Sequence, residues 1–519
     1  MKDQLLNLTV VLPALGLFIS KALSSTKSDK LPLKISKLSS TLGILGSIVG
    51  GIWVFQNGPF YSETLGLNGL GLSLRLDGLS LVMFGMVSII GLVVLRYSDS
   101  YLDGEKNKAK FIGSMALTVG LVQIMVVAGN LLVLLLAWVT AGISLKNLIL
   151  YYSDRNRAQI AAKKKQLVSI FGNLAMLASF ALLYLNFQTG DLATIFSVLS
   201  EVQSASTTLE IAALLLVVSA ALKSAQLPLH GWLIEVMEAP TPVSALLHAG
   251  LLNAGPFLMI RFAFLLDAVY YAPIILFTLG AITAFYGAIV FATQPTIKNA
   301  LAYSSVGHMG FSLMSCGLGV YAAGLLHLVA HSFYKAHAFL SSGSLVERVR
   351  VNKPQGYART GSVGKVLLGF GLGAGVFFLI ANFWGITAET ELQLLLIAGI
   401  ILAGVIKLSV SAVDSMSYSS TLLKVLGVVV LILNSFFGLE TLSHFVIGSQ
   451  IPTVSNPSSA LTVIALTMFS VFFTTIIIQT IMPLLNRGGL LYRLSVHARH
   501  GFYINVYFNK AIKSLNYKD

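Results

Sequence analysis

Cysteine occurs once in 519 residues, at Cys316, so the chain can form no internal disulfide and no cysteine-built zinc or iron–sulfur site. Charge is also scarce: 10% of the residues are charged, 56% are hydrophobic, and mean hydropathy is +0.83. No water-soluble domain could fold on that balance without exposing a very large apolar surface. Carboxylates are rarer than basic groups, 20 Asp and Glu against 34 Lys and Arg, which leaves a formal net charge of +14. Nucleic acid is not the implied partner, because the basic residues gather in particular short loops.

What the chain has is apolar runs of membrane-crossing length, roughly 18 to 25 residues each. They recur from a first span over Leu5 to Leu23 to a last one near 459–484. The reading is an all-α polytopic membrane protein with about 14 to 15 transmembrane helices. The chain divides into a transmembrane domain over 1–485, with its motifs in 75–345, and a basic cytoplasmic or interfacial segment over 486–519.

Basic residues mark alternate loops: Lys27, Lys30, Lys34 and Lys37; Lys106, Lys108 and Lys110; Arg155, Arg157, Lys163, Lys164 and Lys165; and Arg348, Arg350, Lys353, Arg359 and Lys365. Glu63, Asp191, Glu201, Asp267, Glu389 and Glu391 fall in the loops between. The bias puts the N-terminus outside and the C-terminal basic segment inside, facing cytoplasm and membrane lipid. A glycine-rich stretch over 57–77 reads as an external loop with a hairpin.

The ionisable residues at membrane depth carry the chemistry. Lys223 lies in an apolar run and is followed by Pro228 and His230, then Glu235, Glu238 and His248. A lysine in lipid is costly unless it faces protein or water, and a proline frees backbone carbonyls that need other partners. A break near 208–237 therefore predicts a hydrated pocket where burial favours the neutral amine and makes protonation reversible. The alternative is a lysine whose long stem lets it reach an interface. Glu235 and Glu238 read either as part of the pocket or as solvated carboxylates at a helix end.

His327, His331 and Lys335 fall at i, i+4 and i+8, one stripe rising about 12 Å along a helix. A histidine pair at this spacing can hold a metal, but no third ligand is evident; structural histidines bonded to carbonyls are the other alternative. Lys298 and His308 are ten residues apart on the preceding helix, on related faces. Polar residues recur at Lys407, Ser409 and Ser411 inside a later apolar run, which hints at a second discontinuous helix of the kind that builds midplane ion sites.

At these residues a family becomes recognisable. Lys223-Ser-Ala-Gln-Leu-Pro-Leu-His230 and Met237-Glu-Ala-Pro-Thr-Pro-Val-Ser-Ala-Leu-Leu-His248 resemble the proton-conducting antiporter-like subunits of respiratory complex I and of multisubunit cation/proton antiporters. Ile297 to His308, His327 to Lys335 and Asp77-Gly-Leu-Ser80 are similar to further motifs of that family. The resemblance implies an antiporter-like fold with broken helices. It also implies Lys223 as the central lysine, Lys298 and His308 as linking groups, and His327, His331 and Lys335 as the onward path.

Two departures stand out. Where the respiratory relatives carry a glutamate paired with the central lysine, this chain reads Trp138-Val-Thr-Ala-Gly-Ile-Ser-Leu-Lys146, without a carboxylate. The Gly-Phe-Phe-Ser-Lys-Asp element expected after residue 360 is also missing, leaving Lys407 as a candidate later lysine.

Tyr152 to Lys165, His248 to Pro256, Tyr334 to Gly343 and Val496-His-Ala-Arg-His-Gly-Phe-Tyr503 resemble one branch, the DabB family of inorganic-carbon accumulation systems. That resemblance implies a bacterial cytoplasmic membrane subunit with no cofactor or catalytic activity of its own. Its implied partner is a DabA-type zinc protein on the cytoplasmic face, in a possible dimer of heterodimers. A proton or other cation flowing through this chain would energise CO2 hydration to bicarbonate in that partner. The rival classes are a subunit of an antiporter or respiratory NADH dehydrogenase, and a structural membrane anchor for a cytoplasmic enzyme.

Overall fold

The computed structural model describes the chain apart from residues 1, 26–29, 203–204, 352–362, 414–417, 454–457, 482–489 and 517–519. Six helices open the chain: α1 (Lys2–Leu23), α2 (Lys30–Asn57), α3 (Gly78–Tyr101), α4 (Lys108–Val126), α5 (Leu131–Ile149) and α6 (Asn156–Phe187). A short α7 (Leu192–Leu199) leads into α8 (Thr207–Lys223), α9 (Gly231–Glu235), α10 (Thr241–Ala249), α11 (Ala254–Arg261) and α12 (Ala263–Ala268). Long helices return with α13 (Tyr271–Phe291), α14 (Ile297–Gly317), α15 (Tyr321–Val351), α16 (Val363–Phe383), α17 (Leu392–Val413), α18 (Tyr418–Ile447) and α19 (Ser459–Ile481). The chain closes with α20 (Leu490–Arg499) and α21 (Ile504–Asn516).

Among the described residues, eleven helical stretches are long and apolar enough to cross a membrane, with α10 and α11 counted as one. The 17-residue α8 and the helices α14, α15 and α19 pack among them and complete the bundle. Their polar residues and shorter apolar lengths keep them out of a hydropathy count, although the bundle needs them. Leu12, Ile52, Leu136, Phe171, Leu379 and Phe445 point outward with about half or more of their surface exposed, a rim suited to hydrocarbon.

Local chemistry sets the helix starts. Asp77, Asn130, Asp191, Ser206 and Thr296 cap α3, α5, α7, α8 and α14 by accepting a backbone N–H in the first turn. In the 57–77 loop the expected hairpin forms: β2 (Leu65–Leu67) pairs antiparallel with β3 (Leu70–Leu72), and β1 (Phe60–Tyr61) pairs with β4 (Arg75–Leu76). Asn68 and Gly69 both have positive φ, as a two-residue hairpin turn demands.

Among the described residues two large apolar cores hold the bundle, beside a small cluster of Tyr286, Val290 and Tyr303. One runs from α1 through α15; the other joins α16 to α19 with the outer faces of α13 to α15. Of the basic residues read as loops, Lys106 and Arg155 lie outside helices, whereas Lys30, Lys34 and Lys37 open α2, Lys108 and Lys110 open α4, Arg348 and Arg350 belong to α15, Lys365 to α16, and Arg157, Lys163, Lys164 and Lys165 to the first third of α6. Lys164 and Lys165 are buried there and Lys163 is exposed, so two of the three face the protein interior. Lys27, Lys353 and Arg359 lie outside the described residues.

Candidate functional site

α8 ends at Lys223. Beyond it, Ala225 takes a left-handed conformation, Leu227 and Pro228 are joined by a cis peptide bond, and the chain resumes helix only at Gly231. The freed groups find local partners: Gln226 N–H donates to Ala221 O, Leu227 N–H to the Thr283 hydroxyl, and the Ser224 hydroxyl to Leu252 O. α11 packs tightly on this end of α8. A Cβ on Gly255 would fall 2.5 Å from the Ala220 carbonyl oxygen, so only glycine lets the two backbones approach this closely. The next span is broken too, at Gly250 and the single turn Leu251–Asn253 that separates α10 from α11.

Lys223 points away from lipid towards α5. Its Nζ donates to the Trp138 carbonyl at 3.1 Å and lies 4.3 Å from the centre of the Trp138 ring. His230, fully buried, lies with Nε2 3.1 Å from the Tyr286 hydroxyl, which donates to Gly501 O at 3.0 Å. Because the phenol gives its proton to that carbonyl, Nε2 of His230 is the donor in the pair. Glu235 ion-pairs with Lys164, which also bonds Asn509, and Phe508 covers the ammonium. The C-terminal α20 and α21 thus fold back beneath the break. Glu238 closes the turn after α9, and its side chain lies outside those described.

The second group forms on α14 and α15. The rings of His308, His327 and His331 form a triangle with centroid separations of 5.1, 5.1 and 5.9 Å. Lys335, fully buried one turn beyond His331, donates from Nζ to Leu301 O at 2.9 Å. His248 stacks on Phe339 at 4.4 Å between centroids. Both ring nitrogens of His248 and of His331, and Nε2 of His327, have no hydrogen-bond partner among the described residues. His308 and His327 line a largely apolar cavity of about 500 Å³ with Ser304, Phe311 and Ser435. No cluster of potential metal ligands forms among the described residues. Between the break and this group run polar contacts: Ser224 to Leu252 O, then the Asn253 side chain to Ser332 on α15 at 2.5 Å.

Lys298 sits half-buried in the first turn of α14, near the basic end of the bundle. Lys407 does not join the row: α17 runs unbroken and Lys407 is exposed on its outer face. The hint of a second discontinuous helix is therefore corrected. The Ser411 hydroxyl bonds the Lys407 carbonyl at 2.9 Å, so this polar stretch stays within the helix instead of breaking it.

Several residues escaped the sequence reading. Arg261, at the end of α11, clamps the buried Asp77 with Nη1 at 2.5 Å and Nη2 at 3.2 Å, while Arg75 Nε donates to the same carboxylate at 2.6 Å. Burial would raise the Asp77 carboxyl, but the two guanidiniums hold it well below the usual carboxylate range. The Asp77 motif is thus an anchor that fixes the far end of the broken span carrying His248. Lys165 was hidden in a basic triplet, and Tyr286 and Asn509 carried no signal of their own.

This arrangement, broken helices around buried amines and imidazoles in an all-helical bundle, is that of an antiporter-like membrane subunit. Residues 128–361 match the family described as NADH:quinone oxidoreductase/Mrp antiporter, TM, and residues 65–112 match the N-terminus of complex I chain 5. Both matched regions are similar to antiporter-like membrane subunits, and the chain is a multi-pass membrane protein.

The DabB resemblance is matched by relatives at higher identity. The probable inorganic carbon transporter subunit DabB2 of Halothiobacillus neapolitanus is 42% identical over 56% of this chain and 52% of its own length. The corresponding DabB of Hydrogenovibrio crunogenus is 40% identical over 60% of each. NADH-ubiquinone oxidoreductase chain 5 of Metridium senile is 35% identical over 53% of this chain and 45% of its own. The chain therefore spans about half to three-fifths of the length of these relatives. In fold it is similar to a chain of the Mrp complex from Dietzia sp., with a TM-score of 0.64 and 22% identity over 98% of this chain and 59% of that one.

Proposed function

We propose that this chain is the cation-conducting, energy-coupling subunit of an inorganic-carbon accumulation system in a bacterial cytoplasmic membrane. Protons moving down their gradient along Lys223, His230, His248, His308, His327, His331 and Lys335 energise CO2 hydration to bicarbonate in a zinc-containing DabA-type partner on the basic face. Glu235 works at the mouth on that side. The observation that carries the reading is a half-buried lysine turned inward at a helix break, with polar contacts of Ser224, Asn253 and Ser332 leading towards a buried lysine and histidine group on α15. Histidine nitrogens with no hydrogen-bond partner among the described residues are where bridging water would complete a wire.

The energetics fit. CO2 crosses bilayers unaided while bicarbonate is trapped by its charge, so accumulation needs hydration driven in one direction. One charge moved through 100 mV supplies about 2.3 kcal/mol, enough for a concentration ratio of roughly fifty.

The test is bicarbonate uptake by cells expressing this chain with its partner, before and after a protonophore. Gradient-dependent uptake that is abolished by Lys223→Ala or Lys335→Ala, with the complex still assembled, supports the reading. Uptake indifferent to the gradient sinks it. A second reading, a subunit of a cation/proton antiporter, is favoured by the likeness to the Mrp complex chain. Copurification separates the two: one large zinc protein for the first, several small membrane subunits for the second.

A further inference from the structure

The antiporter-like pattern that the sequence resembles pairs its central lysine with a carboxylate on the helix that is α5 here, and this chain has none there. The structure shows what occupies the position. Trp138, Gly142 and Lys146 fall at i, i+4 and i+8 on α5 and form one stripe along it. Lys223 from α8 bonds the carbonyl of Trp138. Lys165 from α6, 3% exposed, bonds the carbonyl of Gly142 at 3.1 Å and the Ser169 hydroxyl at 3.0 Å. A Cβ built on Gly142 would lie 3.4 Å from Lys165 Nζ and 3.6 Å from Lys223 Nζ. The buried Lys165 amine and the half-buried Lys223 amine therefore meet over the space that a side chain at Gly142 would fill.

Their surroundings offer neutral oxygens. Among the described residues no carboxylate bonds either amine: Glu235 is taken by Lys164, the next residue along α6, and the other charged group on the stripe is Lys146. Glu238, after α9, has its side chain outside the description. Two full positive charges at this separation in a low-dielectric interior repel strongly, whereas one charge shared between two amines is solvated by the carbonyls of Trp138 and Gly142.

We propose that Lys165 and Lys223 act as a proton-sharing pair, with Lys165 taking the part that a carboxylate partner would otherwise play for the central lysine. When an N–H bond of Lys165 breaks, the proton forms a new N–H bond on the free amine of Lys223 across the Gly142 gap, carried by a water between them, and Lys165 is left neutral to be recharged. Lys165 is thus a relay residue, and Gly142 keeps the gap open. The inference rests on the proton-conducting reading above and names a residue that reading does not contain.

The experiment measures proton flux against pH in proteoliposomes holding the complex purified on the full-length chain. Lys165→Met should cut flux by at least about tenfold. Lys165→Arg should do the same, because a guanidinium keeps its proton. Gly142→Asp alone should pin Lys223 in its charged form and also slow conduction. Combined with Lys165→Met, it rebuilds a carboxylate–lysine pair where a Cβ has ordinary room, and should bring flux back to within about threefold of wild type.

Comparable yield and elution of the purified complex qualify each variant for the measurement. Flux through Lys165→Met at the wild-type rate and with an unchanged pH profile would overturn the proposal, as would a folded double variant no better than Lys165→Met. A wild-type complex that conducts no protons instead overturns the function proposed above. Conduction lost in Lys223→Ala but untouched in every Lys165 variant sinks only the pair.

Discussion

Lys223 and Lys407 present the same signal in sequence, a lysine inside an apolar run followed by polar residues, and the structure treats them in opposite ways. The first ends a helix, turns inward and meets α5, α6 and the broken α10–α11 span. The second rides on a continuous helix and faces outward. The regions around them differ likewise. The first core encloses buried His230, His248, His331, Lys164, Lys165, Lys335, Asp77 and Arg261, whereas the α16–α19 core is apolar apart from groups such as Gln393, Ser409 and Glu440. Lys223 enters at the end of a helix, whereas Lys164, Lys165 and Lys335 are buried on the continuous α6 and α15; what Lys165, Lys223 and Lys335 share is a carbonyl of a neighbouring helix to donate to.

That contrast can be broken most directly by exchanging charge for methyl at both lysines. Lys223→Ala should lower gradient-driven bicarbonate uptake by about a hundredfold, while Lys407→Ala leaves it unchanged. An equal loss at both positions would erase the distinction.

The anchor between α3 and α11 gives the next largest effect. Arg261→Met leaves a buried carboxylate with half its compensation and should cost about 3 to 5 kcal/mol of stability, read as a lower thermal midpoint in detergent. Since the Asp77 carboxyl is held low in the fold, its contribution is present above the ordinary carboxylate range and fades as pH falls. The gap between wild type and Asp77→Asn should accordingly narrow only in strong acid. Gly255→Ala pushes α11 off α8 and should destabilise by about 1 to 3 kcal/mol in the same assay. Smallest of all, Tyr286→Phe removes the bridge from His230 to Gly501, a change of about 1 kcal/mol. It is best seen as faster proteolysis within α20 and α21.

Much of this was legible from residue order. Apolar runs gave the helices, Pro228 and Gly250 lie in the two interruptions, and the i, i+4, i+8 spacing put His327, His331 and Lys335 on one stripe. Lys165 was not legible because it ends a basic triplet that reads as a loop, and only the extra length of α6, 32 residues, carries it below the surface. Arg261 and Asp77 are 184 positions apart, and nothing local to either announces a long-range ion pair. The stretch from Trp138 to Lys146 was noticed for the carboxylate it lacks; that two amines converge on its Gly142 depends on how three helices pack.

The tail that tucks under the interruption has one more consequence. From Gly501 through the Tyr286 phenol to His230, and from Asn509 through Lys164 to Glu235, two short tethers tie α20 and α21 to the hinge of the broken span. A pull on that tail from the basic face is felt at the hinge without passing through the lipid-facing helices, so these last residues are a mechanical handle on the interior.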